Sequence, residues 1–218
     1  MKKNGVTLKK RAVLIILLVP ARSFCCVNCN PQLQSAIKAS WQENGMAIVS
    51  PFMALLLITG FLCWLALRKN RKLLSPAAVP LLCASMVLGM GLGGFADGIV
   101  FHQILQWHEM LSNRMPTDNL LGKSVNMFWD GIFHLFTLLT TLTGMLLMWK
   151  VLKTAHNSDS GYFLGAGLLA GWGIFNLVEG VINHEAFGLH NVREAADRKE
   201  FWNLGFHFLG IGLIAAGA

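Results

Sequence analysis

An all-α membrane fold is predicted by three features of the sequence: a four-helix transmembrane bundle made of two duplicated helical hairpins, preceded by one extra transmembrane helix. Hydrophobic residues make up 54% of the 218 positions and charged residues only 13%, the composition of a chain whose solvent is lipid. Several apolar runs are long enough to cross about 30 Å of hydrocarbon. One stretch of the chain also repeats another at a constant offset, and each copy contains two such runs.

The first eleven residues carry Lys2, Lys3, Lys9, Lys10 and Arg11, and the apolar run that follows, Ala12 to Pro20, is too short to span a bilayer. Residues 1–23 therefore read as a signal peptide, with small residues Ala21 and Ser23 placed for cleavage after Ser23. An uncleaved anchor is the alternative. Residues 24–45 form an extracytoplasmic segment with Cys25, Cys26 and Cys29, expected to hold one disulfide and a spare thiol, or else to capture a soft metal. Residues 46–67 are the extra transmembrane helix. Residues 79–218 are the duplicated domain, with repeats 79–149 and 162–218, and its spans run from Val79 to Trp107, Ser124 to Trp149, Tyr162 to Phe187 and Phe201 to the end. All are helical, because lipid leaves an open chain no other way to satisfy its backbone. The last run stops at Ala218 without a charged flank, as a truncated chain would.

The formal charge of +7 does not point to nucleic acid, because the basic residues cluster beside apolar runs, where they set orientation. Arg68, Lys69, Arg71 and Lys72 follow the extra helix, and Lys150 and Lys153 follow the third span, which puts both loops in the cytoplasm. The implied localisation is a bacterial inner membrane, crossed several times, with loops 109–123 and 188–200 facing the periplasm or exterior. Trp107, Trp129, Trp149 and Trp202 lie near span ends and read as interfacial anchors. Glycines such as Gly89, Gly91, Gly93, Gly94, Gly165, Gly167, Gly171 and Gly173 read as helix-packing surfaces, and Cys63 and Cys83 as packing residues.

The repeat is specific. Asp97-Gly98-Ile99-Val100-Phe101-His102, continuing to His108, matches Glu179-Gly180-Val181-Ile182-Asn183-His184, continuing to His190, at an offset of 82. Phe128, Trp129, Asp130, Phe133 and His134 match Phe201, Trp202, Asn203, Phe206 and His207 at an offset of 73. Units of two spans enter the membrane in the same direction, so they are related by an axis along the membrane normal. The polar residues of each hairpin lie late in the outward helix and early in the returning one, and so gather at the extracytoplasmic end.

Six of the seven histidines, His102, His108, His134, His184, His190 and His207, fall in the repeat, together with the acids Asp97, Asp130 and Glu179. An ionised group at the centre of a bilayer costs roughly 2.5–3.5 kcal/mol on insertion scales, so something should compensate these acids. Asp130 with His134, and Asn203 with His207, are four apart and project from one helical face about 40° apart. Asp97 and His102 are five apart, which a regular α-helix separates by roughly 140°, whereas a π-bulge or a break near Gly98 would unite them. Regular geometry instead aligns Asp97 with His108, about 16 Å away along the axis. Imidazole nitrogen with carboxylate oxygen suits copper, iron, zinc or manganese, and the carboxylates can be ligands or acceptors that orient a ring. Haem needs only one or two axial histidines, so the acids favour a non-haem metal. Asp130 becomes Asn203 and Asp97 becomes Glu179 in the second copy, which fits either two unequal sites or one asymmetric site on the axis.

The strings Gly93-Gly94-Phe95-Ala96-Asp97-Gly98-Ile99-Val100-Phe101-His102-Gln103-Ile104-Leu105-Gln106-Trp107-His108, Gly171-Trp172-Gly173-Ile174-Phe175-Asn176-Leu177-Val178-Glu179-Gly180 and His190-Asn191-Val192-Arg193 resemble a bacterial integral membrane family of unknown function, the domain-of-unknown-function family 2243. The resemblance runs from about Val79 to the end and implies a four-span membrane domain with no established activity. This chain departs from the family where a second histidine often follows the first, having Glu109, Glu185 and Asn191 at those places.

The function expected from the residues is metal binding at the extracytoplasmic end of the bundle by His102, His108, His134, His184, His190, His207, Asp97, Asp130, Glu179 and Asn203. The protein would serve as a metal-dependent oxidoreductase, or would handle copper or iron for a respiratory or other metal-handling partner in the bilayer. The alternatives are a transporter or proton-conducting module using the same residues, and an assembly factor that binds nothing.

Overall fold

The computed structural model describes residues 30–69, 78–153 and 160–218. The signal-peptide reading of residues 1–23, and Cys25, Cys26 and Cys29, lie outside the described residues. Five helices and no strand are present among those described. Helix α1 (Pro31–Lys69) is 39 residues long and begins where Asn30 Oδ1 accepts the backbone N–H groups of Gln32 and Leu33 at 3.0 and 3.2 Å, with proline at the first helical position, where no N–H is needed. It starts well before the predicted span at residue 46. Helix α2 (Ala78–Ala96) continues as a π-helix over Asp97–Ile104. Helix α3 (Leu120–Leu152) is capped by Asn119, whose side chain accepts Gly122 N–H. Helix α4 (Ser160–Glu179) continues as a π-helix over Gly180–Ala186, and α5 spans Lys199–Gly217.

Four of the five helices, over Pro31–Arg68, Ala78–Ile104, Leu120–Leu152 and Gly161–Ala186, are long and apolar enough to cross a membrane. Helix α5 forms where the fifth span was expected, but is not one of these four.

Helix α2 packs on α4 at the centre, α3 packs on α2 and α5 on α4, while α1 lies across α2, α3 and α4. Among the described residues α3 does not meet α5, so the helices stand in a row, α3–α2–α4–α5, rather than in a closed bundle. The reason lies in the central seam. A Cβ added to Gly89 would stand 2.7 Å from Leu168 Cα, and one added to Gly171 would stand 2.9 Å from Met86 Cα. Backbones this close hold the outer helices apart. Gly91 lies against Thr141 and Gly173 against Ile214, and Gly144 meets Leu88 as Gly217 meets Ala170. Gly165 faces open space and is not part of this packing.

Trp129 is not an interfacial anchor. It is buried, donates its indole N–H to Ser40 Oγ at 2.9 Å and stacks on Trp41 with ring centroids 5.9 Å apart, which fastens the early part of α1 to α3. Trp149 and Trp202 are exposed as anchors should be.

Gly171→Leu should destabilise the protein by about 1–3 kcal/mol or prevent folding, whereas Gly165→Leu should be tolerated. Thermal unfolding in detergent, followed by size-exclusion chromatography, separates the two outcomes.

Candidate metal centre

In a π-helix each N–H bonds the carbonyl five residues back, so residues five apart come to share a face. The two π segments place this spacing where the acids and histidines are. His102 Nε2 stands 3.2 Å from Asp97 Oδ2, and His184 Nε2 stands 3.2 Å from Glu179 Oε1. The chain then turns back over the helix ends through left-handed residues, Gln106 with φ 49° and Gly188 with φ 54°. Leu105 and Trp107 bond back to Val100 and Phe101, just as Phe187 and Leu189 bond back to Ile182 and Asn183.

These turns carry His108 and His190 into the centre. His108 Nδ1 donates to the Val192 carbonyl at 2.8 Å and His190 Nδ1 donates to the Met110 carbonyl at 3.1 Å, so each ring is held by the other hairpin's loop. The rings lie parallel within 2°, with centroids 4.6 Å apart. A carbonyl can only accept, so both Nδ1 atoms carry a proton. Burial, reinforced by neighbouring His102, His190 and His184, holds His108 well below the usual imidazole range, which keeps it neutral.

His102 is oriented by Asp130, whose Oδ1 accepts its Nδ1–H at 2.8 Å and also Met110 N–H at 2.9 Å. Its Nε2 is turned toward Asp97 Oδ2, 3.2 Å away. Asn203 repeats only half of this role. Its Oδ1 accepts Val192 N–H at 3.0 Å, but its amide N–H donates to Asn191 Oδ1 at 3.1 Å and not to a histidine. His184 is thus buried with Nδ1 and Nε2 both lacking hydrogen bonds.

The ligand atoms of His102, His108 and His190 all lie within 4.8 Å of one another, as do those of Glu179, His184 and His190. His190 belongs to both groups, and its Nε2 is 2.9 Å from Glu179 Oε1. Asp97, His102, Met110, Phe133, Glu179, Asn183 and His190 line a gap too small to admit a water-sized sphere, so a haem does not fit.

Two of the expected histidines stay out of the cluster. His134 bonds back to its own helix, Nδ1 donating to the Asp130 carbonyl at 2.7 Å. Its Nε2 lies against Gly98, and His207 Nε2 lies against Gly180 in the same way, at 2.8 and 2.9 Å from where a Cβ would be. Of the i, i+4 pair, Asp130 reaches His102 and the Met110 N–H, while the His134 ring packs on Gly98.

Sequence reasoning missed the asparagines. Asn126 Oδ1 accepts Leu111 N–H at 2.8 Å, and Asn183 donates to Glu179 Oε1 at 3.3 Å. The available signal was position: Asn126 precedes Asp130 by one turn of an apolar helix. Glu109 was also passed over as a site residue. It is buried beside the cluster, pairs with Lys123 through Oε1 and leaves Oε2 without a partner.

Comparison with known proteins gives one match. A family model described as "Predicted membrane protein (DUF2243)" matches residues 84–218, the region that carries both π segments and all six repeated histidines. No curated protein and no solved structure matches the chain.

The loop 187–198 is tied by Glu194, which accepts from Lys199 Nζ at 2.7 Å and from Asn191 N–H at 2.7 Å. Partial burial raises its pKa, but these donors outweigh the burial and hold it below the usual carboxylate value. A folded-state pKa below the unfolded one stabilises the loop above the ordinary pKa of about 4.3 and loses that contribution as pH falls through the lowered value. Hydrogen exchange should therefore show loop 187–198 loosening in acid, and Glu194→Gln should remove that pH dependence.

Proposed function

We propose that this chain, which belongs to the DUF2243 family of predicted membrane proteins, binds a transition metal through His102, His108, His184 and His190 with Asp97 and Glu179, at the end of a duplicated membrane domain that faces the periplasm or exterior. The carrying observation is that buried imidazole nitrogens and carboxylate oxygens converge at 3.2, 3.2 and 2.9 Å, with two sets of three ligand atoms each gathered within 4.8 Å. Buried carboxylates require a cation beside them, and a metal ion held by these nitrogens and oxygens supplies it. Two donors about 2.1 Å from a metal and about 90° apart as seen from it stand about 3 Å from each other, which is the separation found.

The other rings bear the usual mark of metal ligands, an Nδ1–H donated to a carboxylate or carbonyl so that Nε2 points at the ion. Asp130 supplies this for His102, Val192 for His108 and Met110 for His190. The duplication reading is supported by contacts that recur at the offsets of 82 and 73, including Gly89 on Leu168 against Gly171 on Met86. Asn203 in place of Asp130 makes the two halves unequal. His184, without an orienting acceptor, belongs to the weaker half.

An all-nitrogen-and-oxygen donor set suits iron, copper, zinc or manganese, and such an ion would supply redox or Lewis-acid chemistry to the periplasmic or outer side, as an oxidoreductase or as a carrier of copper or iron to a respiratory partner. A conducting path is less well supported, because the α2–α4 seam below the cluster is closed by glycine-on-backbone contacts and carries only scattered polar groups such as Ser85 and Asn176. A ligand-free assembly role does not require two overlapping sets of three ligand atoms.

Elemental analysis of detergent-purified full-length protein tests the reading. Bound metal should approach stoichiometry and be lost in His108→Ala and His190→Ala, while His134→Ala and His207→Ala retain it. Asp130→Asn should weaken affinity about 10–100-fold. Absence of metal even after reconstitution, or metal content indifferent to His108→Ala and His190→Ala, would refute it.

A further inference from the structure

A slot of about 470 Å³ lies between α1, α2 and α3, toward the ends of the helices remote from the histidine cluster. Its apolar walls include Leu56, Val87, Phe136, Leu139 and Leu147. Phe136 to Leu147 on one helix gives it a length of about 16 Å. Gly60 forms part of the lining, and a Cβ there would meet nothing within 4 Å. Within this lining stand two free cysteines, Cys63 from α1 and Cys83 from α2, close enough for their side chains to interact.

A single cysteine in such a wall is a small hydrophobe, which is how each reads alone in the sequence. Two neighbouring thiols from different helices, facing one slot, are one two-electron oxidation away from a disulfide that ties α1 to α2. The oxidant has to reach them through an apolar slot inside the span, which excludes charged, water-borne disulfides. A flat, lipid-soluble two-electron acceptor with a hydrocarbon tail has the right shape and polarity.

We propose that this slot binds a membrane quinone and that Cys63 and Cys83 are its redox partner. Both S–H bonds break, the two sulfurs join, and the two electrons and two protons pass to the quinone, which leaves as the hydroquinone. Cys63 and Cys83 are then reactive groups rather than the packing residues expected from sequence. An acyl chain would fill the same space but accepts no electrons.

The test uses the full chain with Cys25→Ser, Cys26→Ser and Cys29→Ser, reduced, placed in phosphatidylcholine vesicles without oxygen and given a decyl-tailed benzoquinone. Hydroquinone absorbance should rise by one equivalent per chain as both thiols become resistant to maleimide, and peptide mapping should find Cys63 joined to Cys83. Cys63→Ser should form no hydroquinone. Gly60→Leu, which fills the slot, should slow the quinone reaction by about tenfold or more while leaving the disulfide accessible to diamide. Thiols that stay alkylatable with quinone present, oxidation by diamide alone, or an unchanged rate in Gly60→Leu would each overturn the proposal.

Discussion

Buried carboxylates gathered with histidine nitrogens govern the arrangement of the cluster end of this molecule. Burying an ionised carboxylate is tolerated only with a compensating charge or a full set of donors. Asp130 meets the requirement with donors, from His102 and Met110 N–H. Asp97 and Glu179 do not, since each retains a buried oxygen without a hydrogen bond while histidine nitrogens stand beside it. Everything around them is built to hold those nitrogens in place, including the π segments, the left-handed turns and the exchange of loops between hairpins. The proposed metal ion would be shared by these groups.

The π-helices are the local device that makes the arrangement possible. A regular α-helix would turn His102 away from Asp97, and the five-residue spacing only becomes useful when the helix widens at Gly98 and Gly180. Those glycines have a second role there, because the rings of His134 and His207 occupy the space a Cβ would need. The histidines that fail to reach the cluster thus pack the wider helices that let the others reach it.

Much of this was legible in the sequence. The helical class and the long spans follow from apolar length, and the closeness of Asp97 to His102 and of Glu179 to His184 follows from the five-residue spacing. What was not legible depends on distances between helices. The row of helices in place of a closed bundle follows from how closely Gly89 and Gly171 let two backbones approach. The exclusion of His134 and His207 follows from which face of α3 and α5 meets the π segments. Trp129 read as an anchor because its position near a span end is visible, whereas its partners Ser40 and Trp41 come from the segment before the predicted first span. The asparagines that tie the loops have no pattern of their own in a single sequence.

X-ray absorption of the metal-loaded protein tests the central claim most directly, because it reads the donor atoms themselves. The account predicts a shell of nitrogen and oxygen at about 2.0–2.2 Å, with the outer-shell scattering of three or four imidazoles, diminished in His108→Ala. A shell dominated by sulfur at about 2.3 Å, or a spectrum without imidazole scattering, would contradict it.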